Sequence, residues 1–256
     1  MESEVESLSR YDEVILEVFK RLTLQYGLEA DVLPFDKGFL DQIAEELHIK
    51  NIPDIIYSYR SGRRDFPPEM VERGNWVIKG EGKGKYTLVR LDIPVELAVP
   101  LELEITDIPN AIPEIVLMFA KGDEQSMLVQ IRYNRLVDIF TSLTVYHLQS
   151  HLRAYVRDMG QIEVDDLYLG VNTDGQWFCI PIEAKPASLK DQLNWVQISS
   201  MVAYAEREYP GLAVRPLGVK MLEDGSMIFV EFTATSDPLK LQTRSYKRYR
   251  LFRDAT

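Results

Sequence analysis

The chain has 256 residues, 46% of them hydrophobic and 27% charged, which suffices for one large domain or two modest ones with real cores. A net charge of −11 argues against nonspecific coating of nucleic acid, while recognition by local basic segments stays open. No apolar run is long enough to span a bilayer, and the acidic start Met1-Glu2-Ser3-Glu4 lacks a signal-peptide pattern. The single cysteine, Cys179, leaves no internal disulfide. A cytoplasmic location without a membrane partner is the expectation.

The first predicted helix covers Tyr11 to Tyr26, with Val14, Ile15, Val18, Phe19 and Leu22 at helical spacing and Gly27 as the stop. A second runs from Lys37 to Leu47. A third starts at Ile52-Pro53-Asp54, where proline in the first turn is tolerated, and ends near Arg60. Two strand-like runs follow, Trp76–Ile78 and Tyr86–Leu91, joined by the glycine-rich loop Lys79-Gly80-Glu81-Gly82-Lys83-Gly84-Lys85. Three helices and then a hairpin, with basic residues concentrated between 60 and 90: residues 1–92 resemble a winged helix-turn-helix. The resemblance implies DNA contacts from Arg60, Arg63, Arg64, Lys79, Lys83 and Lys85. The glycine-rich loop is no P-loop, because Tyr86 stands where the pattern needs Ser or Thr after the lysine.

Residues 93–113, rich in proline and acids, read as a connecting segment or edge strands. Beyond it, Ile115–Ala120 and Met127–Tyr133 read as two strands around a polar turn. A helix is expected from about Asn134 to Arg157. On that helix His147 and His151, four apart, fit a surface role better than zinc, since Leu148 replaces the glutamate a metalloprotease needs. An alternating run, Gln161–Val171, reads as a strand. Asn172-Thr173-Asp174-Gly175-Gln176 is a turn, and Trp177–Lys185 a second strand stopped by Pro186. A helix from about Leu189 to Tyr209 and two strands, Val214–Leu222 and Met227–Thr233, come next. The segment Arg244–Arg250 fits either a grip on phosphate or an amphipathic edge strand. Cys179, alternating on a buried strand, is expected to pack in the core.

Side chains alternate across a strand, so Glu183 and Lys185 share a face. With the turn centred on Asp174, Asp165 and Glu183 each lie nine positions away and stand opposite one another. A two-residue Asp174-Gly175 turn would instead bring Asp166 opposite Glu183. Asp165 is preferred, because Glu163 and Asp165 then project to one side and Glu163 becomes a further ligand or water binder. Two carboxylates meeting on one face repel unless a divalent cation joins them, and an oxygen-rich set suits Mg²⁺, with Mn²⁺ as substitute. Lys185 could then orient or deprotonate the attacking water, or stabilise charge on the phosphorus.

Asp165 on one strand and Glu183-Ala184-Lys185 on its neighbour resemble the PD-(D/E)xK nuclease signature, and the order helix, strand, strand, helix, strand over residues 134–233 resembles that superfamily's core. Val164 replaces the proline. The resemblance implies an α/β fold, a restriction-endonuclease-like mixed sheet flanked by helices over residues 114–256. It also implies hydrolysis of double-stranded DNA with Mg²⁺. Asp165, Glu183 or Asp166 would be the metal ligands, Lys185 catalytic, and Gln197, or Gln192 in its stead, would line the site. A type II restriction enzyme of this kind implies a homodimer and a partner DNA methyltransferase. A structure-selective repair or recombination nuclease and a noncatalytic DNA-binding regulator are the alternatives.

Overall fold

The computed structural model describes residues 9–50, 52–60, 64–92, 94, 99–119, 123–156, 160–188 and 192–253. The chain forms two compact units, one of residues 1–95 with 155–161 and one of residues 96–154 with 162–256.

In the first unit, helix α1 (Arg10–Tyr26) begins where Ser9 and Asp12 form a reciprocal capping box, and it stops at Gly27, whose φ of 103° suits only glycine. Strand β1 (Val32–Asp36) follows, then α2 (Lys37–Glu46), capped by Asp36, whose carboxylate accepts from the Phe39 N–H at 2.9 Å. Helices α3 (Ile52–Arg60) and α4 (Pro68–Val71) lead to β2 (Asn75–Gly82) and β3 (Lys85–Leu91). The three strands form an antiparallel sheet in the order β1-β3-β2. Its core joins Phe19 of α1, Ile43 of α2, Ile55 of α3 and Ile78 and Leu88 of the hairpin, with Phe19 edge-on to Trp76 at 5.1 Å. The three helices and the hairpin lie where the sequence pattern puts them. Strand β1 is an addition: it is short and carries Pro34, which an edge strand accepts because one row of its N–H groups has no partner. Replacing Ser9 by Ala frees one backbone donor, the Asp12 N–H, and removes an acceptor for Arg64, so it should destabilise this unit by about 1 kcal/mol in chemical denaturation.

The second unit opens with β4 (Ile105–Pro109) and helices α5 (Glu114–Met118), α6 (Glu124–Tyr133) and α7 (Leu136–Thr141). Long strands β5 (Thr144–Val156) and β6 (Gly160–Val171), whose residues 155–156 and 160–161 are counted with the first unit, and β7 (Trp177–Lys185) follow, then α8 (Trp195–Glu208). Strands β8 (Ala213–Val214), β9 (Leu217–Met221), β10 (Met227–Phe232) and β11 (Thr243–Phe252) complete the unit. They build one sheet in the order β4-β11-β10-β9-β7-β6-β5, with β8 also beside β7. β7 with β9 and β11 with β4 are parallel, while β6 with β7, β9 with β10 and β10 with β11 are antiparallel. The protein is therefore mixed α/β, with a large mixed sheet flanked by helices. Met127, Leu128 and Ile131 of α6 pack with Ile180, Ile182 and Ala184 of β7. The buried side of α8 carries Ile198, Met201 and Val202.

Two segments differ in kind from the sequence expectation. The runs 115–120 and 127–133, expected as strands, are helices, with residues 120–122 outside the described residues. Asp123 caps α6 by accepting from the Ser126 N–H at 2.9 Å, and Met127, Leu128 and Ile131 form a helical stripe. The expected helix 134–157 is instead the six-residue α7 followed by strand β5. Arg135 and Ser142, with φ of 50° and 56°, bound α7 in left-handed conformations that no helix continues through. The C-terminal β11 is an inner strand, covered by β4, so the edge-strand reading fails. Its Arg248 and Arg250 bind Asp224 at 2.7 Å and Asp107 at 2.7 Å, contacts within the sheet. Among the described residues, no helix is long and apolar enough to cross a membrane.

Candidate metal centre

The centre grows from the β6–β7 hairpin. Asn172 organises its turn, its side-chain oxygen accepting from the Asp174 and Gln176 N–H groups, and Gly175 takes a φ of 78°. The resulting register pairs Val171 with Trp177 through to Asp166 with Ile182. One step further Asp165 comes abreast of Glu183, and Asp165 Oδ2 accepts from the Ala184 N–H at 2.7 Å. Lys185, on the same side of β7 as Glu183, donates from Nζ to Glu183 Oε1 at 2.6 Å. Asp165 is 7% exposed and Glu183 3%.

Two further side chains reach this point. Glu124 is the first residue of α6, placed by the Asp123 cap. His151 sits on β5 at a φ of 47°, a local twist out of strand geometry, and its ring touches Gln125. One carboxylate oxygen each from Glu124 and Asp165 and one ring nitrogen from His151 lie within 4.8 Å of one another. These three residues could hold a metal ion, since two oxygens and an imidazole nitrogen are donors for a divalent cation.

The electrostatics favour a cation. Burial pushes the Asp165 carboxyl well above its ordinary value, and the charges of Glu183 and Glu124 push it the same way against the Ala184 N–H and Lys185. Glu124 is raised by burial and then by Glu183. Burial pulls the Lys185 ammonium down, but Glu183, Asp165 and Glu124 outweigh it and hold it above the ordinary lysine value. Beside these carboxylates Lys185 is favoured as an ammonium, and it donates to Glu183.

Of the residues the sequence singles out, Asp165, Glu183 and Lys185 come together. Asp166 points the other way, into a separate polar cluster. Arg132 binds both its oxygens, at 3.0 and 2.6 Å, and Ser150, His147 and Tyr168 complete its shell at 2.8, 2.9 and 3.0 Å. Glu163 accepts from Arg153 at 3.2 Å. Gln197 is the third residue of α8 and half-buried, and no hydrogen bond among the described residues joins it to the acidic group. Gln192 is half-buried just before that helix. Cys179 is fully buried, its thiol pushed up to about 12 by burial, as a core residue should be.

In the first unit, Arg60 is half-buried and donates to the Gln161 carbonyl. Arg64 donates to Ser9 Oγ at 3.0 Å and lies 4.9 Å from the centre of the Tyr11 ring. Both have partners within their own unit. Arg63 lies outside the described residues. Lys83 and Lys85 are exposed on the β2–β3 hairpin and Lys79 is half-buried there.

Sequence reasoning missed Glu124 and weighed His151 only together with His147, giving it a surface role instead of a metal one. The signal for Glu124 was available: Asp123 three residues before Ser126, followed by the stripe Met127, Leu128, Ile131, marks a helix start. The approach of His151 to Asp165 could not be read, because it depends on a twist in a strand read as a helix. No family model, no curated protein and no solved structure matches this chain.

Proposed function

We propose that this protein is a metal-dependent deoxyribonuclease of the PD-(D/E)xK class, hydrolysing phosphodiester bonds in duplex DNA. The observation that carries the reading is the meeting of Asp165, Glu183 and Lys185 beside Glu124 and His151. The antiparallel β6–β7 hairpin followed by α8 and by β9, which runs parallel to β7, supports it. So does the first unit, where α1, α2, α3 and the β2–β3 hairpin follow the order of a winged helix-turn-helix that would position DNA.

Asp165 and Glu124 offer carboxylates to Mg²⁺ or Mn²⁺, and the His151 imidazole widens the choice toward transition ions. Bound there, a divalent cation supplies charge neutralisation at the scissile phosphate and eases ionisation of a water. Glu183 fixes the Lys185 ammonium. That ammonium is a preorganised positive charge against the phosphate oxygens as water adds to phosphorus and the P–O bond to the leaving alcohol breaks.

Plasmid DNA incubated with the full chain should be cut with Mg²⁺ or Mn²⁺, remain intact in EDTA, and be cut at least about 100-fold more slowly by Glu183→Ala. Discrete fragments would identify a restriction enzyme, for which a homodimer and a companion methyltransferase follow. Cutting confined to branched or damaged DNA would identify a repair nuclease. Duplex binding with no metal-stimulated cutting would leave only a DNA-binding regulator and defeat the proposal.

A further inference from the structure

The first unit holds a cavity of about 260 Å³ between the end of α3 and the β2–β3 hairpin, and all its lining residues belong to that unit. Three tyrosines face it: Tyr57 of α3, Tyr86 of β3 and Tyr155. Phe35 backs the Tyr86 ring at 5.4 Å and fixes its plane. Two cations, Arg60 and Lys85, complete the polar lining with Gln161. Among the described residues, no acidic side chain lines it, in a chain where 40 acids outnumber 29 basic residues. Gly82 and Gly84, at φ of 76° and 74°, also line it, in a backbone conformation that most side chains avoid.

Aromatic faces accept a planar ring, and they do so with little regard to its sequence identity. The half-buried Arg60 guanidinium, which lines the cavity and donates to the Gln161 carbonyl, is held below its ordinary value by desolvation, which the nearby phenols of Tyr86, Tyr57 and Tyr155 only partly offset. An anion entering the cavity would relieve that penalty. At about 260 Å³ its size is just under the usual range of small-ligand pockets, which suits a single nucleotide unit.

We propose that this cavity binds one nucleotide, its base against the tyrosine rings and its phosphate at Arg60 and Lys85. Two sources carry that chemistry: a free mononucleotide, or a base swung out of a DNA strand. The strand-borne source rests on the DNA-binding reading of this unit, and the free source does not.

Both arms use the full chain in EDTA, so that no cleavage intervenes. In one, dAMP, dCMP and inorganic phosphate are titrated by calorimetry. In the other, duplexes carrying 2-aminopurine at successive positions are followed by fluorescence. We expect a nucleotide response in at least one arm, with phosphate alone at least about tenfold weaker than a mononucleotide, and Tyr57→Leu and Arg60→Gln each weakening the response about tenfold or more. Tyr155→Leu, at a position 63% exposed, gives the same reading without risk to the fold. Response to mononucleotides alone selects the free source, and response of 2-aminopurine alone selects the strand. Silence in both arms, or binding indifferent to all three substitutions, overturns the proposal. Neither result depends on Glu183, so the plasmid test and this one fail separately.

Discussion

Asp165→Asn should make the metal-free protein more stable at pH 7 to 8 while lowering metal-dependent cleavage at least about 100-fold. The first half follows from the position of the carboxyl, buried and facing Glu183 and Glu124, which raise its pKa well above 3.8. The folded protein therefore keeps a proton that the unfolded chain has already released. Stability from this group is complete below the unfolded value. It falls as pH rises through the raised folded value, because over that window the native state binds more protons. An amide carries no such cost. Its oxygen can still accept from the Ala184 N–H, the 2.7 Å bond that fixes the side chain. The second half follows because a neutral amide is a poor ligand and the cation must displace a proton from wild-type Asp165. In thermal unfolding, wild type should gain Tm on adding Mg²⁺ or Mn²⁺, more at pH 8 than at pH 6. The variant should start higher without metal and gain little. A variant less stable than wild type in EDTA, or one that still cuts, would show that this carboxyl carries neither strain nor metal.

The hairpin that carries Asp165 was legible because its information is local. Alternating residues on both strands, and an Asn-x-Asp-Gly turn whose side chain caps its own backbone, fix the register without help from the rest of the chain. Helices α1 and α2 of the first unit were legible for the same reason, each having a side-chain cap and an apolar stripe, whereas the four-residue α4 carries too little pattern to read. What was not legible depends on distant partners. β5 lies at the edge of its sheet, where one side has no strand, so its outward residues Tyr146, Leu148 and Tyr155 stay exposed and blur the alternation. The same residues fit a helical stripe equally well, and only Ser142 in its left-handed conformation separates α7 from the strand. The inner place of β11 is set by β4, with Arg250 meeting Asp107 across 143 positions, which no local pattern reports. The candidate centre divides along the same line. Asp165, Glu183 and Lys185 come from one hairpin. Glu124 and His151 arrive from a helix start and an edge strand whose secondary structure had first to be right.

Asp166→Ala, one residue away, should act in the opposite sense and unfold the second unit at markedly lower temperature. Asp166 is fully buried, yet its two oxygens accept from Arg132, Ser150 and Tyr168 and meet His147, so its charge is compensated on every side. Removing it strands a guanidinium and a phenol that have no comparable acceptor in that cluster. Breaking a buried ion pair by deleting one partner costs about 3–5 kcal/mol. Arg132 is 28% exposed and can recover some hydration, which places the loss near the lower figure, about 3 kcal/mol. For a unit of this size that lowers Tm by roughly 6–12 °C. Replacing the pair together, Arg132→Met with Asp166→Leu, should be less damaging than Asp166→Leu alone, because the uncompensated charge goes with its partner. Below its own transition the Asp166→Ala protein should still gain Tm with Mg²⁺ or Mn²⁺, since Asp166 faces away from Glu124, His151 and Asp165. Loss of that metal response in a protein still folded would place Asp166 among the ligands and shift the register of the centre by one residue.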